Sequence, residues 1–207
     1  MRNLFYLVVL VCTSSANAGT SDDFFRAVRL DDARTVTQLL ERGFDPNAVD
    51  EKGVPALALA LRESSPKVAA ALLAAPQIKV DATTPADETP VMMAALRGQP
   101  QWTQRLLDRG AQVNRPGWTP LHYAACGPEP EVVALLLARG AAVEALSPNR
   151  TTPLMMASRY GPEKAVDMLL ARGASLKARN DAGLNAADFA RLAGRESLAQ
   201  RLDLAGR

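Results

Sequence analysis

The residues of this chain best equipped for chemistry are His122 and Cys126. Four positions apart, they fall on one face of a helix. An imidazole beside a thiol can activate a nucleophile, and both groups ligate metals. Nucleophilic catalysis also needs an orienting acid and an oxyanion donor, and the surrounding Thr119-Pro120-Leu121-His122-Tyr123-Ala124-Ala125-Cys126 supplies neither. A zinc site needs three or four ligands, and the pair offers two. The methionine pairs Met92-Met93 and Met155-Met156 add thioethers, which favour Cu(I). One reading is therefore a metal- or redox-handling protein that uses His122, Cys126 and these methionines.

What positions these residues follows from the rest of the chain. Its 207 residues are 48% hydrophobic, enough for a substantial core, yet only 5% aromatic. A core rich in Ala and Leu favours close-packed helices, because strands prefer β-branched and aromatic side chains. The formal charge of +2 is too balanced for nucleic acid or an anionic membrane to be the main partner.

Residues 1–18 read as a cleaved signal peptide. Arg2 supplies a basic start, Leu4 to Cys12 an apolar run, and Ala16-Asn17-Ala18 the small residues a signal peptidase requires. Nine apolar residues are too few to span a bilayer, which takes about 20. Cleavage after Ala18 predicts a periplasmic or secreted chain with no membrane insertion. Lipidation at Cys12 is the competing expectation, although Val11 stands where a small residue belongs. Loss of residues 1–18 leaves Cys126 as the lone cysteine, so packing rather than a disulfide must stabilise residues 19–207.

The pairs Leu39-Leu40, Leu72-Leu73, Leu106-Leu107, Leu136-Leu137 and Leu169-Leu170 recur every 30 to 34 residues. Helix-turn-helix units stacked in a row explain such a period. Helix starts at Pro55, Pro90, Pro120, Pro153 and Ala186 follow the same spacing. Thr119 is suited to cap a helix whose first residue is Pro120, and Gly140 ends the second helix, where a left-handed residue is needed. Expected units are about 21–50, 51–82, 83–114, 115–145, 146–180 and 181–207, the first and last being caps with charged outer faces. Unit two is degenerate, with Pro76 near the place of the glycine stop. The loop at Arg115-Pro116-Gly117-Trp118 is three residues shorter than its counterpart.

Thr119-Pro120-Leu121-His122-Tyr123-Ala124 resembles the T-P-L-H-x-A signature of the ankyrin-repeat family, here of an exported bacterial type. The likeness continues through Leu135-Leu136-Leu137-Ala138-Arg139-Gly140-Ala141 and Leu169-Leu170-Ala171-Arg172-Gly173-Ala174. It implies an all-α solenoid of about six stacked units with short finger loops. It also implies that His122 hydrogen-bonds between repeats and that function is non-enzymatic binding of a protein partner. Metal chemistry is disfavoured further by the stack. The two methionine pairs lie two units apart, about 20 Å when helices pack at about 8–10 Å, so at least one Met of each pair serves as core filler.

By the same resemblance, partners dock on a concave face lined by finger tips and first helices. Tip positions before the Thr-Pro steps include Lys52, Glu88, Trp118 and Arg150. Trp118, Tyr123, Arg97, Arg150, Arg159, Tyr160 and Arg62 form a basic and aromatic set, the residue types that dominate interface energetics. They point to a partner that carries carboxylates and is protected or inhibited on binding. No cofactor is expected, and the chain is expected to be a monomer.

Overall fold

The computed structural model describes residues 19–207, so the expected leader, with Cys12, lies outside the described residues. The described residues form twelve helices. No strand occurs among them, and the only strand-like pairing is an isolated bridge between Val49 and Pro55. No helix among them is long and apolar enough to cross a membrane. The chain divides into two compact units, with the boundary after Ala86.

The first unit contains α1 (19–29), α2 (Ala33–Glu41), α3 (Ala56–Arg62) and α4 (Pro66–Ala74). Phe24 is fully buried, with its ring 5.3 Å from that of Phe25 and 4.4 Å from that of Phe44. Charges expected to face water here are instead used. Arg29 reaches the buried carboxylate of Asp50 at 3.3 Å, and Asp50 also accepts from the amides of Lys52 and Val54. Asp31 Oδ1 accepts from the Val68 amide at 2.9 Å, in the first turn of α4, where a carboxylate satisfies an orphan donor and favours the helix dipole. A second difference concerns Pro55. It precedes α3 as the N-cap, and Ala56 is the first helical residue. α4 ends on the extended residue Ala75 with no glycine, because Pro76 follows.

The second unit alternates first helices α5 (Pro90–Leu96), α7 (Pro120–Cys126), α9 (Pro153–Tyr160) and α11 (Ala186–Leu192) with second helices α6 (Pro100–Asp108), α8 (Pro130–Ala138), α10 (Glu163–Ala171) and α12 (Glu196–Ala205). Proline is the first residue of α5 to α9, where its missing N–H costs nothing. α11 starts without proline, and a reciprocal cap replaces it. Asn185 Oδ1 accepts from the Asp188 amide at 2.9 Å, and Asp188 Oδ2 accepts from the Asn185 amide at 3.0 Å. α8 ends through left-handed Gly140, with the Ala141 amide returning to the Leu136 carbonyl at 2.9 Å.

Leu106, Leu136 and Leu169 are fully buried, each contributing roughly 2 kcal/mol by removal from water. The first helices pack side by side on the alanines Ala94, Ala95, Ala124, Ala125 and Ala157, all with no exposed surface. Their closeness leaves no room at the turns. A Cβ on Gly161 would lie 2.1 Å from the Ala125 carbonyl oxygen, and one on Gly127 would lie 2.7 Å from that of Ala95. These glycines have extended backbones, so space rather than conformation demands them.

Arg195, expected on the outer face of α12, turns inward at its N-cap and closes α9. Its Nη1 donates to the carbonyls of Ala157, Ser158 and Gly161 at 3.1, 3.0 and 2.8 Å. A cation at a helix C-terminus satisfies orphan carbonyls and complements the dipole.

Replacing Gly161 by Ala should destabilise the chain by about 2 kcal/mol or more, because backbone must move. Gly183→Ala meets nothing within 4 Å and should cost only about 1 kcal/mol, for a left-handed residue. Urea denaturation midpoints of the two variants test the difference. Equal losses would refute the role given to the Ala125 approach.

Candidate functional site

Site geometry in the second unit starts from the first helices. The residue before each N-cap varies: Glu88 before Thr89, Trp118 before Thr119, Thr151 before Thr152 and Leu184 before Asn185. The true tip is one residue earlier and left-handed in every case, at Asp87, Gly117, Arg150 and Gly183. Glu88 and Trp118 therefore follow the tip and do not occupy it. Trp118 turns down onto His122, with ring centroids 5.2 Å apart at 79°.

His122 has no exposed surface. Its Nδ1 lies 3.2 Å from the Thr119 amide and 2.9 Å from Thr119 Oγ1, and its Nε2 lies 2.9 Å from the Thr151 carbonyl. An amide can only donate and a carbonyl can only accept. Nδ1 is therefore the acceptor and Nε2 carries the proton, which fixes one neutral tautomer. Burial lowers the imidazole pKa below its ordinary value, against weaker opposition from its backbone hydrogen bonds. The ring closes its own helix cap and ties it to the next finger.

Met92 and Met155 stand at the histidine position of α5 and α9. Their sulfurs accept from the Thr89 and Thr152 amides at 3.3 and 3.4 Å. Both are buried, at 0% and 1% exposure. A thioether can thus reproduce the cap, but it has no donor with which to reach the following finger.

Cys126 donates its thiol to the His122 carbonyl at 3.3 Å, and burial pushes its pKa up to about 12. A protonated thiol is a poor nucleophile and a poor ligand. With both nitrogens of His122 engaged, the pair is held as packing, which argues against the metal or redox reading.

Tyr123 donates its hydroxyl to Glu88 Oε1 at 3.0 Å. Burial first, then the neighbouring carboxylate, raises the phenol pKa above its ordinary value, so it stays a donor. Leu96, Trp118, His122, Tyr123, Cys126 and Met156 line a cavity of about 240 Å³, open to solvent on one side, between α5, α7 and α9. Its lining is almost wholly apolar. Leu96 at the rim is 39% exposed.

Of the seven residues singled out from the sequence, Trp118 and Tyr123 line this cavity. Arg159 and Tyr160 end α9, with the guanidinium 5.1 Å from the ring centroid and Tyr160 56% exposed. Arg97 is the exposed C-cap of α5, next to Leu96. Arg150 is on the tip and points toward Asp181, at 3.9 Å between exposed side chains. Arg62 belongs to the first unit, where it pairs with Glu63 at 3.2 Å. Leu96 and Met156 were not among those seven; Leu96 stood out only as an exposed position late in its helix and Met156 only as a thioether. Their signal is register: Leu96 and Cys126 are each the seventh residue of a first helix, and Tyr123 and Met156 each the fourth.

Two expectations follow. As pH falls below about 6.5 the unfolded imidazole takes a proton that folded His122 refuses, so stability is lost by at most about 1.4 kcal/mol per pH unit. No other histidine is present. His122→Met, copying the neighbouring units, should therefore lose less stability than wild type between pH 7.5 and 5.5, as read by urea denaturation. Second, Arg150→Gly should raise stability by about 1 kcal/mol, since the φ of 61° suits glycine and the pair with Asp181 is long and exposed. A destabilised variant in thermal melts would contradict this.

Comparison with known proteins agrees with this geometry. The family model for ankyrin repeats (3 copies) matches residues 24–116 and 92–180. Neurogenic locus notch homolog protein 4 of Homo sapiens is 45% identical over 83 residues. That segment is 38% of this chain and 4% of that protein, so the chain spans only a small part of its relative's length. Among solved structures, the chain is similar to one chain in the complex of the Bd0816 predatory endopeptidase from Bdellovibrio bacteriovorus with immunity protein Bd3460. The TM-score is 0.74 at 24% identity, covering 88% of this chain and 97% of that one, a likeness of fold. With family matches across most of its length and the capped, glycine-stopped helix pairs described above, the chain belongs to the ankyrin-repeat family.

Proposed function

We propose that this chain is a non-enzymatic module that binds a partner protein through the first helices and fingers of its second unit. The observation that carries this reading is the gathering of rings with arginines on that face, unlike the buried phenylalanines of the first unit. Aromatics make up 5% of the residues, yet Trp118, Tyr123 and Tyr160 gather there beside Arg97 and Arg159. Tyr160 and Leu96 lie exposed at the edge of that face, where a partner would cover them. Nothing about His122 and Cys126 is poised for turnover, since one is locked as a neutral tautomer and the other is a protonated thiol.

The cellular setting belongs to the same proposal. The basic start, apolar run and Ala16-Asn17-Ala18 at residues 1–18 support export, so the partner would be met in the cell envelope or outside the cell. Protection or inhibition of an enzyme is the role this favours. The fold neighbour comes from a complex of an endopeptidase with an immunity protein, which makes an antidote-like role a concrete case to test.

Photo-crosslinking tests the face. A photoreactive amino acid in place of Arg159, introduced into the producing cells, should capture one discrete protein. The same probe in place of Trp102, which lies on second helix α6 under Arg105, should not. Equal capture at both positions, or none at 159, would defeat the assignment.

A further inference from the structure

The cavity between α5, α7 and α9 carries the assignment of the partner further. We propose that it takes one aromatic side chain from an acidic segment of the partner; this rests on the reading that the face binds a protein.

Size sets the first limit. An apolar cavity of about 150 Å³ accepts benzene, so the 240 Å³ here admits a ring with its linking methylene. The wall chemistry sets the second. Trp118 and Tyr123 present rings suited to edge-to-face contact with a third ring, and Met156 and Cys126 present sulfur, which contacts aromatic edges favourably. A charged anchor would find no counter-ion inside, because the His122 nitrogens and the Tyr123 hydroxyl are already engaged.

The rim sets the third. Leu96, Cys126 and Arg159 are each the seventh residue of their helices, so Arg159 follows Cys126 in the row across the face. Arg159 is also three residues after Met156, on the same side of α9. Arg97 follows Leu96 at the opposite edge. Arginines thus stand late in α5 and α9, on either side of the pocket, Arg159 with its guanidinium against the Tyr160 ring, while Glu88 receives the Tyr123 hydroxyl and Asp87 pairs with Arg115. Aspartate or glutamate beside the aromatic anchor complements this rim.

A random peptide library panned against the full chain tests the proposal. Enriched peptides should share a Phe, Tyr or Trp next to Asp or Glu. Their affinity should fall about tenfold or more when that ring is replaced by Ala in the peptide, or with Leu96→Asp or Met156→Asp in the chain. Leu96 is exposed enough for its variant to fold, which circular dichroism checks. Arg159→Gln should weaken binding by a smaller factor and reduce its salt dependence. No enrichment, enrichment of peptides without rings, or binding that survives Leu96→Asp would overturn it. If crosslinking at position 159 persists while these outcomes occur, the binding module stands and the aromatic anchor falls; if both fail, both fall.

Discussion

The second unit depends on how closely one turn of backbone approaches the helix beside it. Gly127 and Gly161 sit so near the carbonyls of Ala95 and Ala125 that a single added carbon cannot fit. That spacing requires alanine at the contacts of the first helices. The larger apolar residues of the first helices, Met92, Leu121, Leu154 and Met155, are buried away from those contacts, together with Leu106, Leu136 and Leu169 of the second helices. At the contacts themselves only small side chains fit, and Trp118 and Tyr123 stand beside them, at the pocket between α5, α7 and α9.

Close packing leaves the backbone polar groups as the next problem, since every helix has unpaired amides at one end and carbonyls at the other. The chain solves it with several chemistries. Imidazole, thioether, carboxylate, carboxamide and guanidinium groups all serve as caps, at His122, Met155, Asp31, Asn185 and Arg195. Only the imidazole, with an acceptor on one side and a donor on the other, joins its own cap to the following finger. What first looked like catalytic equipment is structural wiring.

The fold was legible in the sequence because its determinants are local. Proline after threonine, the recurring leucine pairs and the glycine stops each encode one dihedral or one buried position, and they repeat. The capping roles of Asp31 and Arg195 were not legible, because their acceptors and donors lie more than thirty positions away. Local pattern describes them as solvated charges on terminal repeats. Pro55 was misplaced by one residue for a related reason: proline tolerates both the N-cap and the first helical position, so its presence alone does not fix the register. The candidate site was half legible. Trp118 and Tyr123 stood out by type, whereas Leu96 and Met156 needed the alignment of helix positions before they joined the same cavity.

Arg195 changes what a terminal repeat is. Such repeats are treated as interchangeable lids that shield an apolar face. Here the lid reaches back past its own first helix to hold three carbonyls at the end of α9. Grafting a generic C-terminal cap, with the right surface and no cation at this place, would cover the leucines yet leave α9 to fray. Because α9 bears Arg159 and Tyr160 at that same end, the modularity of the scaffold stops one repeat short of its terminus.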